Sequence, residues 1–521
     1  MGRGGDPTTG NLGCLVTDRF STGFPILSLM RLAVRRSTAL WLGVVLCCGL
    51  PLLPARGAAR PNLLVILTDD HGVGDVSAYH KSDVQTPNLD QLASEGMRFT
   101  RMRANATVCS PSRAALLTGK YPDRVGVPGV IRTCPEDSWG WFDPHAATLP
   151  DLLRRSGYNT ALVGKWHLGL KSPNTPNERG FQFFHGFLGD MMDSYTTHER
   201  EGHNYLRRNA QPVTAKGHAT DLFTDWAVKY LEERASRRRQ PFFLMLAYTA
   251  PHFPIEPPEA WLARVRKRDP SLSDVRARNV ALVEHLDHGI GRVLDRLEAL
   301  GFASNTVVVF TSDNGGSLPH GQSNDPWKDG KQSHYDGGLR VPFLVRWTGV
   351  VPPSSQSDRA GLIFDIFPTF LELAGVELPS GLDAVSLVPI LEGKSMPAVG
   401  RDLYFVRREG GRYGGNSYEA LIRGDWKLLR NDPYSPFELY DLRSDPGETK
   451  NVAGQNPDRV HELTEVIRGH IRRGGRTPWQ PPQNAQAKRE SVDRMSHGKG
   501  LMIKEEIPCP DANGRYAPRP L

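Results

Sequence analysis

Cysteine is scarce in this chain: six residues in 521, at positions 14, 47, 48, 109, 134 and 509. So few exclude a disulfide-built scaffold. Long apolar runs are lacking as well. Outside residues 38–53 no stretch approaches the roughly 20 residues that a membrane helix needs. No block of one charge sign dominates, because 64 Lys+Arg face 57 Asp+Glu. The first 59 residues hold six Arg and two Asp, leaving 58 basic against 55 acidic residues in the rest. That near balance gives no polyanion footprint and excludes a nucleic-acid partner. Disorder is excluded by 39% hydrophobic and 23% charged residues. What is plentiful is Gly (52) and Pro (41), which signals many loops around a large core. No internal repeat is found.

The N-terminal stretch reads as an address. Met30 is a second plausible start, followed by Arg31, Arg35 and Arg36, an apolar run over residues 38–53, and small residues at Gly57, Ala58 and Ala59. Charged, apolar and small segments in that order make a secretory signal. Residues 1–29 then read as an over-extended start. The expected mature protein is exported to a periplasmic, secreted or lysosome-like compartment, with no stable membrane span. It keeps Cys109, Cys134 and Cys509, and a Cys134–Cys509 bridge is permitted outside the cytosol.

Four apolar runs, Leu63–Leu67, Thr160–Val163, Phe242–Ala247 and Val307–Phe310, alternate with amphipathic helical segments. Runs of this length suit strands covered on both faces. The pattern predicts an α/β fold, a doubly wound and largely parallel sheet flanked by helices, over residues 60–385. One helix is expected over residues 221–234 with Thr220 as its cap, and another over 274–300 ending at Gly301. Residues 386–400 read as a connection. Residues 401–475 form a smaller α+β unit with an antiparallel sheet, and 476–521 a tail.

Ligand sites in open α/β sheets lie beyond the carboxyl ends of the strands. There the first run leads into Asp69-Asp70 and the last into Asp313-Asn314, while the other two lead into Lys165-Trp166-His167 and to His252. Adjacent carboxylates at the end of a buried strand repel unless a cation sits between them. Asp69, Asp70, Asp313 and the Asn314 carbonyl are an all-oxygen donor set, which favours Ca2+, or Mg2+, over zinc. Cys109 opens a helix through Pro111, where the helix dipole is expected to depress its thiol pKa. Two readings stay open on the residues alone: a small buried apolar side chain, or a thiolate nucleophile paired with a histidine.

The segment Cys109-Ser-Pro-Ser-Arg113, followed by Thr118-Gly119, resembles the signature of the type I sulfatases, in the alkaline phosphatase superfamily. The likeness spans residues 60–470. It includes the TDD, GKWHLG, APHFP and TSDNGG boxes and a later box with Lys328, Lys331, Asp336 and Arg340. Family members usually carry Arg in place of Lys328 and Glu in place of Asp336. The resemblance implies hydrolysis of sulfate esters, with sulfated glycans or aryl sulfates as substrates. It also implies that a formylglycine-generating enzyme oxidises Cys109 to formylglycine, whose hydrate attacks sulfur and leaves a sulfated hemiacetal. Cys109 would then join Asp69, Asp70, Asp313 and Asn314 around the cation. Arg113 would hold the diol; Lys165, His252 and Lys331 would clamp sulfate, with His252 or Lys331 protonating the leaving oxygen. His167 would take the proton that lets sulfate go. Asp193, His198, His320 and Asn324, in loops beyond these boxes, are candidates for holding sugar. The sequon at Asn105 stands too close to Cys109 for a glycan. The alternatives are a phosphonate monoester or phosphodiester hydrolase of the same superfamily, or a glycan-binding protein whose Cys109 stays a thiol.

Overall fold

The structure is a computed structural model that describes residues 60–481, apart from 135–136, 396–399, 411–412 and 414–417. The expected signal segment, most of the tail and Cys509 lie outside the described residues. Cys134 is disulfide-bonded.

Four buried strands make the centre: β1 (Asn62–Thr68), β2 (Asn159–Lys165), β3 (Phe242–Ala247) and β4 (Thr306–Ser312). They run parallel in the order β4-β1-β3-β2, with Leu64 opposite Val308 on one side and Leu244 on the other. Every residue of β1 and β4 is buried, which explains why these runs are apolar without alternation. Among the described residues the sheet extends to ten strands. Its margins turn antiparallel, at Phe343–Trp347 beside β4 and at Leu206–Arg208 beyond Phe183–Phe187. Gly164 in β2 has φ +105, and a Cβ there would lie 1.9 Å from the Ala247 carbonyl oxygen. Only glycine lets β2 approach β3 that closely.

Three helices bear on the site: α1 (Cys109–Thr118), α2 (Ala219–Ala235) and α3 (Asp274–Ala299). Helix α1 is buried along its whole length and stops at Gly119, whose φ is +65. Ser273 caps α3, which gives way to Gly301 as expected. The start of α2 differs from expectation. It begins at Ala219, and the cap is His218, whose Nδ1 accepts the Thr220 amide at 3.2 Å. An imidazole nitrogen does there what a hydroxyl was expected to do.

Strands Leu403–Val406, Glu419–Arg423, Trp426–Arg430 and Glu438–Asp441 form a separate antiparallel sheet. Helix Pro457–Gly474 buries Leu463 and Ile467 in that sheet's core, which Ala115 of α1 also enters. Residues 109–118 are thus wedged between two cores, and this fixes where Cys109 sits.

Candidate active site

Asp69 and Asp70 follow β1 directly, and Asp313 and Asn314 follow β4. The parallel register brings both pairs level, with the Asp70 amide donating to Asp313 Oδ1 at 3.2 Å. Asp70 takes a left-handed φ of +62, uncommon for a residue with a side chain. Helix α1 points its first residue at this cluster: Cys109 Sγ lies 3.2 Å from Asp69 Oδ1 and 4.0 Å from Asp70 Oδ1. One turn along, Arg113 donates from Nε to Asp313 Oδ2 at 2.9 Å and from Nη1 to the Lys165 carbonyl at 3.1 Å.

Cations close the ring. Lys165 Nζ donates to Asp69 Oδ2 at 2.5 Å, and Lys331 Nζ to Asp70 Oδ2 at 2.7 Å and to His252 Nε2 at 3.1 Å. Nδ1 of His252 bonds the Phe253 carbonyl at 2.6 Å, so that nitrogen carries the hydrogen and Nε2 is the acceptor. His167 Nε2 reaches the Ile131 carbonyl at 2.8 Å, while its Nδ1 is buried without a partner. Asn314 donates from Nδ2 to Asp70 Oδ1 at 2.8 Å, and its Oδ1 is likewise buried and unpartnered. Asp69, Asp70, Asp313, Asn314 and Lys165 are all fully shielded from solvent.

Burial dominates the electrostatics. It raises the carboxyl of Asp69, but the charges of Lys165, Arg113 and Lys331 outweigh it and hold that group well below the usual range. Asp313 is pushed up by burial and by Asp69. Burial and Lys331 push His252 down to about 4, and burial with Lys165 holds His167 well below its ordinary value, so both rings are neutral. The Cys109 thiol moves against expectation. Burial, then Asp313 and Asp69, drive it well above its usual value, overriding the helix N-terminus. Residue 109 as a thiol is a poor nucleophile here.

A hard divalent cation fits this donor set. Three carboxylates and an unpartnered buried amide oxygen converge without a soft ligand other than Cys109, and Asp69, Asp70, Cys109 and His252 offer ligand atoms within 4.8 Å of one another.

The four loop candidates have separate fates. His320 is brought alongside, its ring stacked on Phe253 at 4.4 Å while Phe253 stacks on His252 at 4.4 Å. Asn324 spends its amide on the backbone of Gly316 and Asp329. His198 bonds the Gly217 carbonyl at 2.9 Å, and Asp193 holds Arg200 at 2.9 Å. Asn105 is fully buried and its Oδ1 accepts the Phe364 amide at 3.0 Å, so the sequon is closed to a glycan. Sequence reasoning missed Ser110, whose Oγ takes the Ile131 amide at 3.0 Å and so steadies the carbonyl that orients His167. It also missed Tyr195, whose Oη donates to the Thr249 and His252 carbonyls at 3.0 and 2.8 Å. No sequence signal marks either residue, because both act through loop backbones that only the tertiary fold brings near.

The chain is similar to known proteins. The model of the family described as Sulfatase matches residues 61–376, and that described as N-sulphoglucosamine sulphohydrolase, C-terminal, matches residues 325–473. N-acetylgalactosamine-6-sulfatase of Mus musculus is 32% identical over 440 residues, covering 80% of this chain and 81% of its own. N-acetylgalactosamine-6-O-sulfatase of Bacteroides thetaiotaomicron is 28% identical, covering 79% and 93%. The crystal structure of Ps i-CgsB in complex with k-i-k-neocarrahexaose superposes with a TM-score of 0.74 at 28% identity, covering 85% of this chain and 98% of that one.

Proposed function

The chain belongs to the sulfatase family and is a sulfuric ester hydrolase; from that premise we propose that it desulfates a saccharide, with oxidised Cys109 as the attacking group. The observation that carries this reading is the convergence of Cys109, Arg113, Lys165 and Lys331 on the carboxylates of Asp69, Asp70 and Asp313. The similarity to N-acetylgalactosamine-6-sulfatases, and to a structure holding a neocarrahexaose, supports a sulfated glycan as substrate.

Asp69, Asp70, Asp313 and Asn314, with residue 109, would hold a divalent cation, and calcium suits their oxygen donors better than a softer ion. When bound, such an ion neutralises the carboxylates and polarises a sulfate oxygen. A hydrated aldehyde at position 109 supplies a nucleophilic hydroxyl and a second hydroxyl whose deprotonation frees the product. The chain's own groups do the rest. Arg113, locked by Asp313 and the Lys165 carbonyl, fixes residue 109 for in-line approach to sulfur. Lys165 and Lys331 grip sulfate oxygens from the far side, and His252 accepts from Lys331 Nζ through Nε2 and so positions that ammonium. Burial works against the charge of Lys331, but Asp70 more than restores it, so Lys331 arrives protonated. His252 is neutral, with its only hydrogen given to Phe253, so Lys331 is the proton donor to the leaving alcohol. His167 donates from Nε2 to Ile131 and keeps a free lone pair on Nδ1, as a base for the second hydroxyl requires.

Export of this enzyme, its maturation by a formylglycine-generating enzyme, and a division into a catalytic unit at 60–385 and a smaller one at 401–475 belong to the same proposal. Its test compares inorganic sulfate release from an aryl sulfate and from defined sulfated saccharides with turnover of an aryl phosphate diester. Mass spectrometry follows the peptide carrying Cys109. Sulfate release together with an aldehyde at position 109 is expected. Preference for the diester, or an intact thiol in active protein from its native source, would overturn the reading.

A further inference from the structure

A second cluster of metal-ligating side chains lies outside the site above, where the first turn of α2 meets the middle of α3. His218 precedes α2, Asp221 stands three residues on, and His285 faces them from α3; one ligand atom from each lies within 4.8 Å of the others. The proposed reaction uses none of the three.

The hydrogen bonds fix the tautomer of His218. Its Nε2 meets the Glu256 carbonyl at 3.0 Å, so Nε2 carries the hydrogen, and Nδ1 presents its lone pair to the helix's first turn. A backbone carbonyl gripping the far ring nitrogen is the support that metal-ligating histidines ordinarily have. His285 is 2% exposed; its Nε2 lies 2.9 Å from Asp221 Oδ1, and its Nδ1 is buried without a partner. The Asp221 side chain is 43% exposed, which leaves one flank open for entry of an ion and for a water ligand. His285 hands its hydrogen to Asp221 from Nε2; moved to the unpartnered Nδ1, that hydrogen frees the Nε2 lone pair toward Asp221 and His218. Two ordinary hydrogen bonds hold the cluster, one of them at 3.2 Å, and each contributes only about 1 kcal/mol.

We propose that His218, Asp221 and His285 form a second metal site, selective for zinc-class cations and completed by water. Two imidazoles and one carboxylate are a borderline-soft set, the opposite of the oxygen cluster at Asp69, Asp70 and Asp313. The ion would clamp α2 to α3 and steady the reaction site at one remove. Tyr195 stacks on His218 with ring centroids 4.8 Å apart, and its Oη holds the carbonyls of Thr249 and His252.

The test uses the full chain saturated with calcium and stripped of transition metals, then given zinc chloride alone. One equivalent of zinc retained through gel filtration, with a rise of a few degrees in Tm, is the expected result. Cobalt(II) chloride in place of zinc should give the visible d–d bands of a four-coordinate N/O site. Asp221→Asn and His285→Gln should each lose the zinc equivalent, the Tm rise and the bands. Asp221→Asn changes a half-exposed group and keeps the fold, so it decides alone if the buried His285→Gln misfolds. No zinc uptake by the wild type, or equal uptake by the wild type and Asp221→Asn, would overturn the proposal.

Discussion

Two of the buried knots of charge in this molecule are built on opposite principles. One is the cluster around Cys109. The other lies where the antiparallel sheet meets the body, centred on Asp336. There the central carboxylate is surrounded by cations: Asp336 accepts from Arg103 at 2.9 and 2.6 Å, from Arg340 at 2.7 Å and from Lys427 at 2.9 Å. Lys427 also pairs with Glu448 at 2.7 Å, and Glu448 takes the Asp336 amide at 2.6 Å. Around Cys109, by contrast, carboxylates crowd a thiol, and Asn314 Oδ1 and His167 Nδ1 stay unpartnered. A saturated knot costs its desolvation and gives position in return. An unsaturated one is destabilising until something binds, which marks it as a place for chemistry.

Breaking the comparison at its reactive end should have the largest effect. Cys109→Ala leaves no group able to attack sulfur, so sulfate release from an aryl sulfate should fall by at least ~1000-fold in kcat/KM. Tm should barely move, because a small side chain replaces a small one. A large loss of Tm in Cys109→Ala would mean that the cluster is structural after all. Chelation by EDTA should likewise abolish sulfate release, and calcium should restore it; activity indifferent to both would remove the cation from the scheme.

At the saturated end the ranking reverses. Asp336→Ala strands the wholly buried Arg103 and leaves the wholly buried Lys427 with Glu448 alone, and should destabilise the fold by about 3–5 kcal/mol. The measurement is a urea titration. In folded protein below the transition, kcat should stay within a few fold of the wild type. A variant with normal stability and no activity would place Asp336 in the wrong class.

Much of this contrast was legible in the sequence, but unevenly. The strands and both acidic pairs could be read, because buried parallel strands announce themselves as apolar runs and sites follow their carboxyl ends. Asp336 could be read only as a matched position in a box; nothing local says that Arg103 and Lys427, far off in the chain, converge on it. The thiol of Cys109 was misjudged for the same reason. A helix N-terminus is a local feature, whereas the carboxylates of Asp69 and Asp313 that overrule it arrive from two other strands. His218 as a helix cap was missed because capping rules favour hydroxyls and amides, and a buried imidazole needs the Glu256 carbonyl to fix its tautomer.

The smallest effect sharpens the comparison through pH. His252 in the folded protein sits at about 4, below the ordinary 6.5, through burial and Lys331. A folded value below the unfolded one means that the unfolded chain binds the proton first as pH drops. The neutral ring therefore contributes its full stability above about pH 6.5, and that contribution declines between there and pH 4. The saturated knot behaves otherwise: burial opposes, but Arg103 and Lys427 hold Asp336 well below the usual carboxylate range, so its contribution is complete above about pH 5 and declines only below that. Stability measured by denaturant from pH 7 to 4 should accordingly fall in the wild type, and His252→Gln should flatten part of that fall. Asp336→Asn should lower the whole curve and leave its slope unchanged above about pH 5. Identical slopes for the wild type and His252→Gln would show that His252 is not the acid-sensitive part of the fold, and that other buried imidazoles such as His218 and His334 carry the loss.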